Sequence, residues 1–269
     1  MSEHHAATAR IDKAHPYRSS SGRDGVDVKG KFERRLARYL NRSSAELTGH
    51  TAVVTFTFDD AFSRACGVGA EIVEKAGGRA TYYVCGGLDH MRSGDRKYHS
   101  AADLRRLQAS GHEIACHGFA HLNYQEASSD DIRRDLELNG HYLEENGIAA
   151  ARNFAYPYGC VSARVKKVCK DRFHSARGVQ NALNGPKVDM SLLKAVPLYS
   201  SRVSTDDVAA LVSQAKHTGS WLIFFGHDVT NEPSPFDMTA ELLSFAVSAA
   251  AASDLPILSV DQALEHYRV

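Results

Sequence analysis

The sequence has no surplus of charge, with lysine plus arginine and aspartate plus glutamate at 32 residues each. The basic excess that would suit nucleic acid or an anionic membrane surface is therefore missing, and a small polar partner fits better. Cysteine is scarce and unpatterned: Cys66, Cys85, Cys116, Cys160 and Cys169 are odd in number and form no C-x-x-C pair. That argues against a disulfide framework and against a cysteine zinc site, leaving reduced thiols as the simplest reading. Long apolar runs are also lacking, since no window approaches membrane-spanning length. The opening residues, MSEHHAATARIDKAH, contain no apolar stretch of signal-peptide type. A cytoplasmic chain with no membrane span is the expectation.

What the sequence does have is enough apolar content, 43% over 269 residues, for one large domain with a sizeable core. Residues 1 to about 30 are polar, with RSSSGRDG at their centre, and read as a mobile arm. KGKFERRLARYLNR follows as a basic helix with Phe32, Leu36, Tyr39 and Leu40 on one side, a stripe expected to dock on the domain. The division is thus an arm and basic helix over 1–50 and a barrel over 51–269.

From Thr51 onward strand-like and helix-like segments alternate. Candidate strands are 53–58, 80–85, 112–117, 152–158, 174–179, 195–200, 220–227 and 256–260. Helical patterns lie between them, such as SAADLRRLQASG, ending at Gly111, and SSDDIRRDLELNGHYLEENG, with serine at its start and Gly147 at its stop. Repeated strand-helix units imply parallel strands joined by right-handed crossovers. The fold class expected is α/β, a distorted (β/α) barrel of seven or eight parallel strands, with its chemistry at the C-terminal strand ends. Those ends carry Asp59 and Asp60, His117, Tyr158, Arg177, and His227 with Asp228.

The first strand, in VVTFTFDDAF, is apolar at nearly every position and runs into two adjacent carboxylates. Aspartate is common where strands end, because it bonds the local backbone. Two charges at the edge of a strand covered on both faces, however, are costly unless something neutralises them. In HEIACHGFAH, His117 and His121 stand four apart, so that two imidazoles can face one point. Two histidines and a carboxylate are a common set for a catalytic divalent ion. His4, His5, His90, His99, His141, His174 and His217 are read as surface or core residues.

Taken in order, TFDD, HGFAH, FAYPYG and FFGHD resemble the polysaccharide deacetylases, the superfamily that includes the nodulation-type chitooligosaccharide deacetylases of carbohydrate esterase family four. The resemblance covers roughly residues 51 to 265. It implies that Asp59 is the general base, that Asp60, His117 and His121 hold the metal, and that His227 is the general acid. The amide of Tyr158, in FAYPYG, would help bind the oxyanion, while Tyr156 can be plain packing. The expected cofactor is a divalent ion, zinc first, with cobalt or nickel also admitted by such ligands. The expected reaction is removal of acetyl groups from an N-acetylated saccharide by metal-activated water, with a free carboxylate taking the water proton. Two other functions stay open: hydrolysis of a C–N bond in a small non-sugar amide, and carbohydrate binding without catalysis.

Three departures from the family pattern bear on the site. Gly118 stands where many relatives have serine or threonine. Ala155 stands where relatives often have the arginine that pairs with the catalytic aspartate; Arg177 is the best substitute by position, then Arg152, then Arg202. No match is found to the Asp-Trp motif that tethers the catalytic histidine in many members: Trp221 reads as core, and Asp228 points elsewhere if the backbone stays extended. TNEPSPFD, 230–237, reads as a lid over a small pocket.

Overall fold

In the computed structural model, which describes residues 28–49 and 51–269, the strand Val53–Asp59 (β1) organises the molecule. All seven of its residues are buried, as the continuous apolar run requires of a central parallel strand. It pairs on one side with Thr81–Val84 (β2), followed outward by Glu113–Cys116 (β3), Asn153–Ala155 (β4) and Ser175–Arg177 (β5). On its other side lies Trp221–Gly226 (β7) and beyond it Val196–Pro197 (β6). Every pairing is parallel. Beyond β5, Leu193 makes a parallel bridge to Arg177, and the chain a few residues on pairs with β7 as β6. The segment 193–197 thus spans the gap between the sheet's two ends, giving an open, distorted (β/α) barrel.

The pleat divides each strand between two surroundings. Val54, Phe56 and Phe58 face the helical layer, packing with Tyr82, Leu222 and Phe224 in the main core. Val53 belongs instead to a cluster with Trp221, Ile223 and Phe225. Two polar side chains on this inner side are satisfied: the Trp221 indole donates to Thr55 Oγ1 at 2.8 Å, and the Thr57 hydroxyl donates to the Phe224 carbonyl at 2.9 Å. Trp221 is therefore core. Toward the C-terminal strand ends Tyr83, Ala115 and Ala155 form a small cluster of their own.

The crossover helices begin where serine can cap them. Ser100 and Asp103 form a capping box at the start of Ala101–Ala109, Ser128 caps Ser129–Glu145, and Ser204 and Asp207 form a second box before Thr205–Thr218. Gly111 and Gly147 follow the first two in left-handed conformations, where glycine carries little strain.

Two expectations are corrected. The eighth candidate strand, 256–260, contributes a single parallel bridge, Val54 to Ile257, because Ser259 is already capping the next helix, Val260–Tyr267. The basic helix, Val28–Ala37 (α1), does not dock through its apolar stripe: Phe32 is 64% and Tyr39 72% exposed, with Leu36 and Leu40 also exposed. Gly30 and Ala37 are its buried residues. The Lys166 ammonium holds its end by donating to the carbonyls of Ala37 and Leu40, each at 2.9 Å, while pairing with Asp189 at 2.6 Å. Polar anchoring, with small residues at the contact, replaces the hydrophobic seam. The arm read from the sequence lies outside the described residues up to position 27.

Candidate active site

Parallel register brings the strand ends to one level. Phe58 on β1 is opposite Gly226 on β7, Asp59 is opposite Tyr83, and Cys116 is opposite both Val84 and Phe154. The residues just past these positions therefore meet at one end of the barrel. Asp59, Asp60, His117, His121, Tyr158 and His227 all line a single cavity of about 770 Å³ there, within the size range of small-molecule sites.

Asp60 and the two histidines form the only three-residue group with metal-ligand geometry among the described residues, their donor atoms within 4.8 Å of one another. The Nε2 atoms of His121 and His117 lie 3.3 and 3.9 Å from Asp60 Oδ1. Tetrahedral ligation at bond lengths near 2.0–2.1 Å separates ligands by about 3.3 Å, so the set fits a zinc-sized ion. Asp60 Oδ1 is buried without a hydrogen-bond partner, an arrangement that costs energy unless a cation meets it. His117 Nδ1 donates to the Ala155 carbonyl at 2.8 Å, which fixes the tautomer with Nε2 as the acceptor facing Asp60. Burial, then the neighbouring imidazole, pushes the His117 pKa down to about 4, and burial with His227 nearby does the same to His121. Both rings are neutral and available as ligands.

The paired carboxylates are in opposite electrostatic situations. Burial would push Asp59 up, yet Arg177 beside it, helped by His117 and His227, holds it below the usual carboxylate range. Arg177 Nη2 donates to Asp59 Oδ1, while Nη1 donates to the Gly178 carbonyl at 3.0 Å. The guanidinium lies between the rings of Tyr83 and Phe225, 4.9 Å from each centroid. Asp60 has no such partner: burial raises it, His117 and His227 only partly offset that, and Asp59 adds to it. Of the other two arginines considered, Arg152 pairs with Asp261 at 3.1 Å and Arg202 lies over Tyr199 at 5.6 Å; neither meets Asp59.

His227 stands across the cavity, its Nδ1 donating to the Phe236 carbonyl at 3.1 Å. Segment 230–237, read as a lid, is pinned at its base, because buried Asp237 accepts from Arg96 at 2.9 Å, Ser234 N at 3.0 Å and Asp228 N at 3.2 Å. It supplies Phe236 to the cavity wall. Asp228 turns away from the cavity toward Arg64, 3.8 Å distant. Tyr158 sets its ring edge-on to His121 at 4.3 Å, whereas Tyr156 is buried and donates to the Ser191 carbonyl.

Four non-glycine residues with positive φ cluster at this rim: Asp60 (64°), Ala61 (49°), His121 (51°) and Tyr158 (58°). Such strain is held only where surroundings over-determine it, and the supporting residues are ones the sequence reading passed over. His99 is buried, with Nδ1 3.3 Å from the Asp60 carbonyl. Asp135, from the helix Ser129–Glu145, accepts from Phe119 N and Ala120 N at 2.9 Å each and from the Tyr124 hydroxyl at 2.7 Å, tying down the loop between His117 and His121. An aspartate inside a helix carries no sequence signal for that task.

These features define a distorted barrel with a candidate metal centre beside an ion-paired carboxylate. Residues 46–172 match the family model described as polysaccharide deacetylase, which bears out the resemblance carried by the sequence motifs. No curated protein matches the sequence. Among solved structures, the chain is similar to the carbohydrate esterase family four domain of a multidomain xylanase from the hindgut metagenome of Trinervitermes trinervoides (17% identity, TM-score 0.57, covering 81% of this chain and 92% of that one). It is also similar to a family 4 carbohydrate esterase from Streptomyces lividans in complex with acetate (17%, 0.55, 76% and 91%). A family four pseudoenzyme from Bacillus anthracis is a third such structure (17%, 0.54, 80% and 66%).

Proposed function

We propose that the protein is a metal-dependent deacetylase that hydrolyses the acetamide of an N-acetylated saccharide. The observation that carries the reading is the opposite treatment of the two adjacent carboxylates, with Asp59 ion-paired to Arg177 and Asp60 left facing two neutral imidazoles. A single structural role would not require that split, whereas a base and a ligand would.

Asp60, His117 and His121 would hold the divalent ion, zinc being the first expectation, and the ion when bound acidifies water and polarises the acetyl carbonyl. Asp59, kept ionised, accepts the proton of the attacking water. Arg177 is a positioning residue that orients the Asp59 carboxylate and holds its charge. The Tyr158 amide is assigned to the oxyanion, a contact commonly worth about 3 kcal/mol. His227, oriented by the Phe236 carbonyl, gives its proton to the departing amine. The proposal also sets the protein in a reducing compartment such as the cytoplasm, since all five cysteines are free and buried.

The deciding experiment measures acetate release from a panel of N- and O-acetylated glycans by protein supplied with zinc, cobalt or nickel and by chelated protein. Metal-dependent acetate release from an N-acetylated member supports the reading. Turnover confined to small non-sugar amides would move the substrate outside the sugars, and glycan binding without turnover would make this a pseudoenzyme.

A further inference from the structure

Next to the active-site cavity lies a second groove of about 490 Å³, and one wall of it is the basic helix. Lys31, Arg34, Arg35 and Arg38 line that wall, while Gly159 and Val179 line both this groove and the active-site cavity. The two spaces thus adjoin across Gly159 and Val179. No residue lining the basic groove is acidic. Over 28–42 the sequence has six basic residues against a single acid, Glu33. Glu33 is half-buried and accepts from Gln125 Nε2 at 3.3 Å. In a chain whose charges balance overall, this is a local excess of positive charge held at the entrance to the candidate site.

The helix is fixed in that position. Lys166 anchors its C-terminal end, and Arg34 donates to Gln125 Oε1 at 2.8 Å while Gln125 Nε2 donates to the Gly30 carbonyl at 3.1 Å. Lys31, Arg35 and Arg38 are exposed. Anchored this way, three exposed cations face a concave space with an apolar floor that includes Leu192. A saccharide chain running out of the catalytic cavity past Gly159 and Val179 would enter it.

We propose that this groove binds oxyanion groups carried by the substrate, so that the saccharide acted on is an anionic one, with carboxylate or phosphate on sugars beyond the one being deacetylated. The inference rests on the deacetylase reading above. Guanidinium groups recognise both anions through the same planar pair of donors, and the positive field draws an anionic chain toward the site. A neutral glycan would gain nothing from such a wall.

The test uses the full chain loaded with zinc, as wild type and as the triple variant Lys31→Glu, Arg35→Glu, Arg38→Glu. Substrates are chitopentaose and pentamers of the same length bearing either C6 carboxylates or 6-phosphates. In wild type kcat/KM is expected to be higher for the anionic pentamers. In the triple variant the anionic-to-neutral ratio falls at least about tenfold through KM rather than kcat, as expected for loss of charge-assisted contacts. The wild-type ratio shrinks with added salt, because exposed charges are screened over about 10 Å at 0.1 M. The variant Arg35→Lys, Arg38→Lys keeps part of the preference, which a merely structural defect would not allow. The two anionic pentamers distinguish a carboxylate source from a phosphate source. An equal ratio in wild type and triple variant overturns the proposal. So does an equal loss of rate on all three substrates, or a triple-variant effect seen only on binding to phosphatidylglycerol vesicles or duplex DNA. Calorimetric binding of the carboxylated pentamer to Asp59→Asn protein separates the two readings. Binding that the triple substitution abolishes, with no acetate released from any glycan by wild type, sinks the deacetylase reading and leaves the groove; acetate release without such binding does the reverse.

Discussion

Arg177 on β5 is the register neighbour of Ala155 on β4, and from that adjacent strand its guanidinium reaches the Asp59 carboxylate. The positive charge missing at position 155 is supplied one strand over. Ala155 contributes by being small, since it packs with Tyr83 and Ala115 where a long side chain would meet the buried guanidinium. Its carbonyl meanwhile holds His117. One short strand thus serves both halves of the site without a functional side chain at that position.

Arg177→Ala is expected to keep its metal and lose catalytic rate. Because Arg177 is the foremost of the charges that together outweigh burial in holding Asp59 low, its removal raises the Asp59 pKa. Activity requires the ionised form, so the acidic limb of the kcat/KM profile moves to higher pH. Removing one partner of a buried pair also costs about 3–5 kcal/mol of stability. Arg177→Lys restores the limb only in part, lacking the planar fork. A pH profile unchanged from wild type in Arg177→Ala would show that the pair has no catalytic role.

Asp59→Asn and Asp60→Asn are expected to differ. The first should bind metal at full stoichiometry while turnover falls by about two to four orders of magnitude, the usual worth of a positioned base. The second should lose metal as well. Metal analysis beside acetate release decides it, and identical behaviour of the two proteins contradicts the division of labour.

Gly118→Ser, which would restore a residue common in relatives, is expected to damage this protein. Gly118 has φ +80°, and a Cβ there would lie 2.5 Å from Asp135 Oδ2 and 2.7 Å from the Tyr124 hydroxyl. Left-handed strain alone costs about 1–3 kcal/mol, and the clash displaces the carboxylate that ties down the His117–His121 loop. A lower melting temperature and weaker zinc binding are the outcome; wild-type values in both would mean that Asp135 does not set the loop.

Lys166→Met is expected to destabilise the fold by about 3 kcal/mol, since Asp189 loses its buried cation and keeps only the exposed Arg42, 3.9 Å away. Amide exchange in residues 28–40 should accelerate. The double change Lys166→Met, Asp189→Leu should recover part of the loss, because it removes the uncompensated charge. Denaturant melts and exchange measurements on the three proteins check this, and an unaffected α1 in the single variant would show that the helix is held by something other than its lysine anchor.

The alternation of buried strands and capped helices was legible because both periods are local: Val53–Phe58 reads as a strand covered on both faces, and serines mark the helix starts. Strand-end position then singled out Asp59, Asp60, His117 and His227 before any geometry was known. What failed was reading contact from an apolar stripe. Phe32 and Tyr39 form one, but α1 docks through Gly30, Ala37 and the reach of Lys166, and nothing local announces a lysine 129 residues away in sequence. The segment 256–260 likewise has strand composition, yet Ser259 commits its end to a helix cap.

The sequence by itself determined the element order, the parallel topology and the chemical types at the strand ends, since these follow from nearest-neighbour preferences and chain connectivity. Only tertiary structure decided which arginine meets Asp59, because three were within reach by position and register alone selects Arg177 over Arg152 and Arg202. It also decided that the Phe236 carbonyl orients His227, that Asp135 and His99 brace the strained turns carrying His121 and Asp60, and that the basic helix lies against the mouth of the cavity. These are long-range pairings, whose energies depend on distances and burial that exist only once the barrel has closed.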